Sequence, residues 1–174
     1  MSEADDRILA CLNSFSSRAM QVLLAARYKA GKRGASMIEV GDLLFGVVLE
    51  DRSMMGDLLS DALGGQELTP VLPLPFHNPF FTSETAGELL NKIKNLLPQS
   101  EPVSHTIEVP LSLDLERAFD GAKDVQNRFH HKQIEPLHLL TAVLTQESGQ
   151  PFKLLQEVGV TKELVLQRLR ETES

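Results

Sequence analysis

Apolar positions recur at helical spacing along most of the chain, and in two places they do so with the same outline. From Gln133 to Leu144 the sequence reads QIEPLHLLTAVL, with Leu137, Leu140, Val143 and Leu144 on one stripe. Glu135 serves as the turn residue. Pro136 then occupies the first helical position, where the N–H it lacks would have had no partner. Met37 to Val48, MIEVGDLLFGVV, repeats this outline. Ile38-Glu39 matches Ile134-Glu135 and Leu43-Leu44 matches Leu139-Leu140, each displaced by 96 residues (38 to 134, 43 to 139). The pattern predicts one helical unit used twice.

The remaining elements follow from the same spacing. Ile8, Leu9 and Leu12 predict a short helix over 5–12. A long helix follows, capped by Ser16, with Ala19, Val22, Leu23, Ala26 and Ala30 as its buried side and Gly31 to Gly34 as its end. Further helices are expected from Glu39 to Glu50 and from Met54 to Leu63, the latter stopped by Gly64-Gly65. The second copy opens with Ser112, which stands 96 residues after Ser16 and caps in the same way. Its long helix uses Leu115, Ala118, Phe119, Ala122 and Phe129 and runs out at His130-His131. After 133–144 come a short helix around Phe152, Leu154 and Leu155, ended by Gly159, and a last one from Thr161 through Leu169. The counterpart of that last helix in the first copy is displaced to Ser83–Leu97.

One region does not repeat. Residues 64–82, GGQELTPVLPLPFHNPFFT, hold four of the nine prolines, which excludes a regular helix or a central strand. They also hold Phe76, Phe80 and Phe81, too apolar for a flexible linker. Two readings stand: a loop laid over the core with its rings buried, or a partly exposed patch for a partner. Residues 98–110 form a second connection, with Thr106 to Val109 as a short extended piece.

Composition narrows the function. An apolar fraction of 42% and a charged fraction of 24% fit an ordinary globular protein. Seventeen basic against 24 acidic residues, a net charge of −7, disfavour nucleic acid as a partner. No apolar run approaches the roughly 18 residues that span a bilayer, and the acidic start is unlike a secretory signal. The single Cys11 has no internal disulfide partner, reads as a small core residue, and fits a reducing, cytoplasmic setting. Arg170 to Ser174 reads as a polar tail.

Candidate chemistry is sparse. His130, His131 and His138 invite a metal reading, but neighbours at a helix end point apart and no H-x-x-x-H spacing recurs. No metal or cofactor is expected. The chain contains no G-x-x-x-x-G-K-[ST] phosphate loop, because Gly31-Lys32 lacks both the first glycine and the following hydroxyl residue. Nor is there a strand–G-x-S-x-G–helix context for a nucleophile, so no catalytic residue is assigned. Met54 and Met55 suit a tolerant peptide groove as well as an irregular core gap.

The order of long helix, break, Ile-Glu-x-x-x-Leu-Leu helix, short Leu-Leu helix, Gly-Val turn and last helix resembles the Clp repeat. That repeat occurs twice in the N-terminal domains of Clp-type AAA+ unfoldases and disaggregases. Ile134 to Leu144 and the continuation Gly149–Leu169 carry the resemblance most specifically. Phe15 to Ala19 resembles the Phe-Thr-x-x-Ala opening, with Ser for Thr. The resemblance implies an all-α fold, a single domain of two pseudo-symmetric Clp repeats of about four helices each. Repeat one would cover about 13–97, the connection 98–110 and repeat two 111–172. It also implies a non-catalytic module that binds adaptor, substrate or Clp-component peptides or helices, here without the ATPase. The alternatives are a domain serving an attached ATPase in cis, or an all-α enzyme or small-ligand binder. Members that recognise phosphorylated arginine carry glutamate where this chain has Gly41 and Leu137, which argues against that ligand. Phe76, Phe80, Phe81, Met54 and Met55 are the candidate protein-binding residues.

Overall fold

A computed structural model describes residues 3–51, 80–81, 83–103 and 108–172. The helices are α1 (Glu3–Leu12), α2 (Ser17–Lys32), α3 (Val40–Asp51), α4 (Ser83–Leu96), α5 (Leu113–Arg128), α6 (Pro136–Thr145), α7 (Gln150–Glu157) and α8 (Lys162–Glu171). The expected helix from Met54 to Leu63 and the extended piece at Thr106-Ile107 lie outside the described residues.

α2 and α5 are equal in length, and both start on a serine in extended backbone conformation. Ser16 Oγ accepts from the Ala19 N–H at 3.1 Å, and Ser112 Oγ from the Leu115 N–H at 3.2 Å. Each bond satisfies a donor that the helix leaves open. Both helices also end alike. The N–H groups of Ala35 and Gly34 return to Ala30 and Gly31, and those of His131 and His130 to Gln126 and Asn127. This paired return closes a helix through one left-handed residue. That residue is Gly34, φ +72°, in the first copy and His130, φ +55°, in the second.

The central pair is α3 and α6. A single stripe on α6 would leave one side wet, yet Pro136 and the whole run from His138 to Leu144 are buried. The stripe expectation is therefore too narrow. A short helix that is apolar all round belongs in the interior. α3 is similar, with Val40 to Leu44 and Gly46 to Leu49 buried. α2 lies on α3 and α5 on α6; α4 then covers α3 and α8 covers α6. Leu89 and Ile93 from α4, and Val165 and Leu169 from α8, supply the covering apolar atoms. The fold is thus two pseudo-symmetric helical repeats closing one core, which neither could shield alone.

α1 stands outside this symmetry, against α5. Cys11 is buried there with its thiol on the Phe119 carbonyl at 3.6 Å, and burial pushes its pKa up to about 11.

Candidate protein-interaction site

The repeats cross at two short backbone contacts related by the same 96-residue displacement. In one, Phe15 pairs with Ile134; in the other, Leu111 pairs with Ile38. Ser16 N–H donates to the Ile134 carbonyl at 2.9 Å, and Ile134 N–H to the Ser14 carbonyl at 2.7 Å. The matching bonds run from Ser112 to Ile38 at 2.9 Å and from Ile38 to Pro110 at 2.8 Å. Each crossing fixes the start of a long helix of one repeat to the start of the central helix of the other.

Surface chemistry at the two crossings differs. Met37 and Leu113, 44% and 61% exposed, flank the Ile38–Leu111 crossing together with exposed Pro110. Their counterparts at the Phe15–Ile134 crossing are Gln133 and Ser17, both polar. The exposed carboxylate residues Glu39, Glu108 and Asp114 lie beside the pair in sequence, and Asp114 also meets Arg117 at 3.2 Å. Sequence reasoning missed Met37 and Leu113. The signal was present: each is apolar where the other copy, 96 residues away, is polar.

Beneath the surface, each crossing is braced through the third residue of the central helix. In the first repeat this is Asp42, whose Oδ2 accepts from the Glu39 N–H at 2.9 Å. Arg33 completes the brace, with Nε to Oδ1 at 2.9 Å and Nη2 to Oδ2 at 2.7 Å, and both side chains are buried. The bonded Asp42 carboxylate holds the guanidinium above its usual pKa. Read from sequence, Arg33 is only one of several cations closing α2, because its partner nine residues on becomes visible only in three dimensions.

In the second repeat the equivalent residues are Phe129 and His138. The Glu135 N–H donates to His138 Nδ1 at 2.8 Å, which fixes that nitrogen as the acceptor. Neutral His138 then carries its proton on Nε2, which faces His131 Nδ1 at 2.8 Å. His131 in turn carries its proton on Nε2, a buried atom without a partner among the described residues. Burial, then the neighbouring His131, lowers the pKa of His138 to about 4. Ser16 Oγ donates to Glu135 Oε2 at 2.8 Å, tying the cap to the other repeat.

The other candidates distribute as follows. Phe81 is 2% exposed and forms part of the core; Phe80 is half-buried against it. Met54, Met55 and Phe76 lie outside the described residues. Both ring nitrogens of His138 are occupied, and His130 is the left-handed residue that ends α5. Among the described residues no group of three His, Cys, Asp or Glu side chains could hold a metal. Gly41 packs under Leu97, and Leu137 is half-buried.

Comparison with known proteins agrees with this architecture. The Clp repeat (R) N-terminal domain family model matches residues 111–174. The chloroplastic chaperone protein ClpD of Arabidopsis thaliana is 22% identical over 158 residues. That alignment covers 91% of this chain but only 16% of ClpD. Among solved structures, the N-terminal domain of that ClpD superposes with a TM-score of 0.58 at 19% identity, covering 90% of this chain and 95% of the domain. A chain from structural investigations of a malarial protein secretion system gives 0.64 at 15% identity, covering 91% and 93%. Residues 111–174 thus match the Clp repeat family model, and the whole has the fold of a Clp N-terminal domain.

Proposed function

We propose that this domain is a non-catalytic protein-interaction module that engages a peptide or helix of an adaptor, a substrate or a Clp component. The observation that carries the reading is the exposed Met37–Leu113 pair at one inter-repeat crossing, where the symmetric position is polar. A few apolar anchors on a rigid helical frame suit an amphipathic segment. Exposed Glu39 and Glu108 beside the pair favour a partner with basic residues next to its apolar ones. Half-buried Phe80, with Met54, Met55 and Phe76, is the candidate second contact. The similarity to 16% of a chaperone's length supports service to an ATPase, in cis or in trans.

The test is affinity capture from lysate of the source organism with wild type beside Met37→Glu/Leu113→Glu, Phe80→Ala and Phe81→Ala. Recovery of a Clp component, adaptor or client by wild type, lost in the double variant, is the expected result. Equal recovery by the double variant moves the contact away from this crossing. Phe81→Ala reports on folding, because that ring is in the core. Recovery of no such protein by wild type removes the reading.

A further inference from the structure

The chain of bonds from Glu135 through His138 to His131 has a property that its Asp42 counterpart lacks. A carboxylate accepts from any direction and carries no proton that must be placed. An imidazole offers one acceptor and one donor, and here both are committed. A second proton on His138 enters at Nδ1, where the Glu135 N–H already points, so the cap bond is replaced by two opposed donors. A cationic His138 also leaves a charge close to His131 Nε2, a buried donor with no acceptor among the described residues.

Among the described residues no carboxylate bonds either ring. Glu135, the nearest acid in sequence, turns its Oε2 to Ser16 Oγ. On α5, Lys123 Nζ is directed to Ser14 Oγ and Gln126 Oε1, and Gln126 Nε2 donates to the His131 carbonyl. Arg128 lies over the Phe129 ring, which itself stacks on His131. From α2 and α3, Arg18 faces Glu50 and Arg33 faces Asp42; Lys29 sits over Phe45. From α8, Arg168 faces Glu171, and α7 sends Glu157 to Lys92. The group acting on His138 through space is His131.

We propose that His131 and His138 form an acid-sensitive latch on one of the two inter-repeat crossings. A second proton on His138 unfastens the start of α6 from Phe15 and Ser16, while the Ile38–Leu111 crossing, braced by Asp42 and Arg33, stays closed. The low proton affinity of buried His138 fits this reading, because opening restores the ordinary affinity and acid then favours the open form. With pKa values of about 4 closed and about 6.5 open, opening at pH 5 is roughly thirtyfold more frequent than at pH 7.5. The proposal does not depend on the interaction reading above.

Amide hydrogen exchange on the whole chain, expressed as protection factors at pH 7.5 and pH 5, tests it directly. The Ser16, Ile134 and Glu135 amides are expected to lose about thirtyfold protection. Those of Ser112, Ile38 and Glu39 should change less than about threefold. His138→Gln keeps an acceptor at the same position without a titrating ring and should abolish the difference. Equal loss at both crossings, or a difference that survives His138→Gln, overturns the latch. Long-range ¹H–¹⁵N spectra of the wild-type histidines give an independent check should the variant fold poorly. Protons on Nε2 of both rings at pH 7.5 are expected, and a proton on His138 Nδ1 overturns the proposal.

Discussion

At positions 33 and 42 the first repeat places a guanidinium and a carboxylate; 96 residues later the second repeat places a phenyl ring and an imidazole. The backbone around them is the same. Both central helices begin with the third residue's side chain accepting from the N–H of the residue before the helix. Both long helices end on the same paired return of N–H groups. The geometry therefore demands an acceptor at the third helical position and leaves its chemistry open. An ion pair and a hydrogen-bonded imidazole chain are two solutions with different responses to mutation and to acid.

The largest expected difference concerns removal of each acceptor. Asp42→Ala leaves Arg33 charged and buried, which costs about 3–5 kcal/mol of stability. His138→Ala strands the Glu135 N–H and a neutral neighbour, and should cost about half as much beyond its packing loss. Chemical denaturation of the two variants checks the order. A larger loss for His138→Ala would show that the second brace is the main one.

Acid separates the two braces next. The pKa of His138 is lower folded, about 4, than its ordinary 6.5, so the unfolded chain binds more protons between those values. Stability from this group is complete above pH 6.5 and is lost as pH falls towards 4, by about 3 kcal/mol. Urea midpoints measured across that window should fall in wild type and fall much less in His138→Gln. An equal fall in both would assign the acid response to other groups.

Close packing gives a third contrast. A Cβ on Gly46 would stand 2.4 Å from the Val22 carbonyl oxygen, so α2 and α3 approach there through bare backbone. The second repeat has Ala142 and Ala118 at those positions, a larger residue facing a smaller one. On Gly121 a Cβ would meet Ala142 at an ordinary 3.6 Å. Gly46→Ala should therefore cost about 1–3 kcal/mol. Gly121→Ala should instead be neutral or stabilising by up to about 1 kcal/mol. Thermal melts of both variants decide it; similar losses would remove the asymmetry of the helix pairs.

Much of this frame was legible in the sequence. The displacement of Ile38-Glu39 to Ile134-Glu135, and the serines at 16 and 112, gave the repeat and its helix starts. Local signals of this kind suffice because caps and periodicity act within a few residues. The braces were not legible. Arg33 and Asp42 are buried partners only because α2 and α3 fold back on each other, and His131 meets His138 for the same reason between α5 and α6. Phe81 shows the converse, since its composition allowed either an exposed patch or a core residue, and packing places it inside. Of the expected binding residues, only Phe80 and Phe81 fall among the described ones.

The smallest expected effect lies where α2 and α5 end. Gly34 suits its φ of +72°, and a Cβ there would stand 2.1 Å from the Glu101 carbonyl oxygen. His130 holds φ +55° on an exposed site, a conformation that favours glycine by about 1 kcal/mol. His130→Gly should raise stability by about 0.5–1 kcal/mol, less the backbone entropy glycine adds to the unfolded chain. A thermal midpoint about 2–3 °C higher is the readout. Such a rise means that stability does not require the imidazole of His130, and the two helix ends then differ in residue but not in mechanism. A fall would mean that the side chain makes a contribution glycine cannot replace, and the equivalence of the two ends would fail at that position.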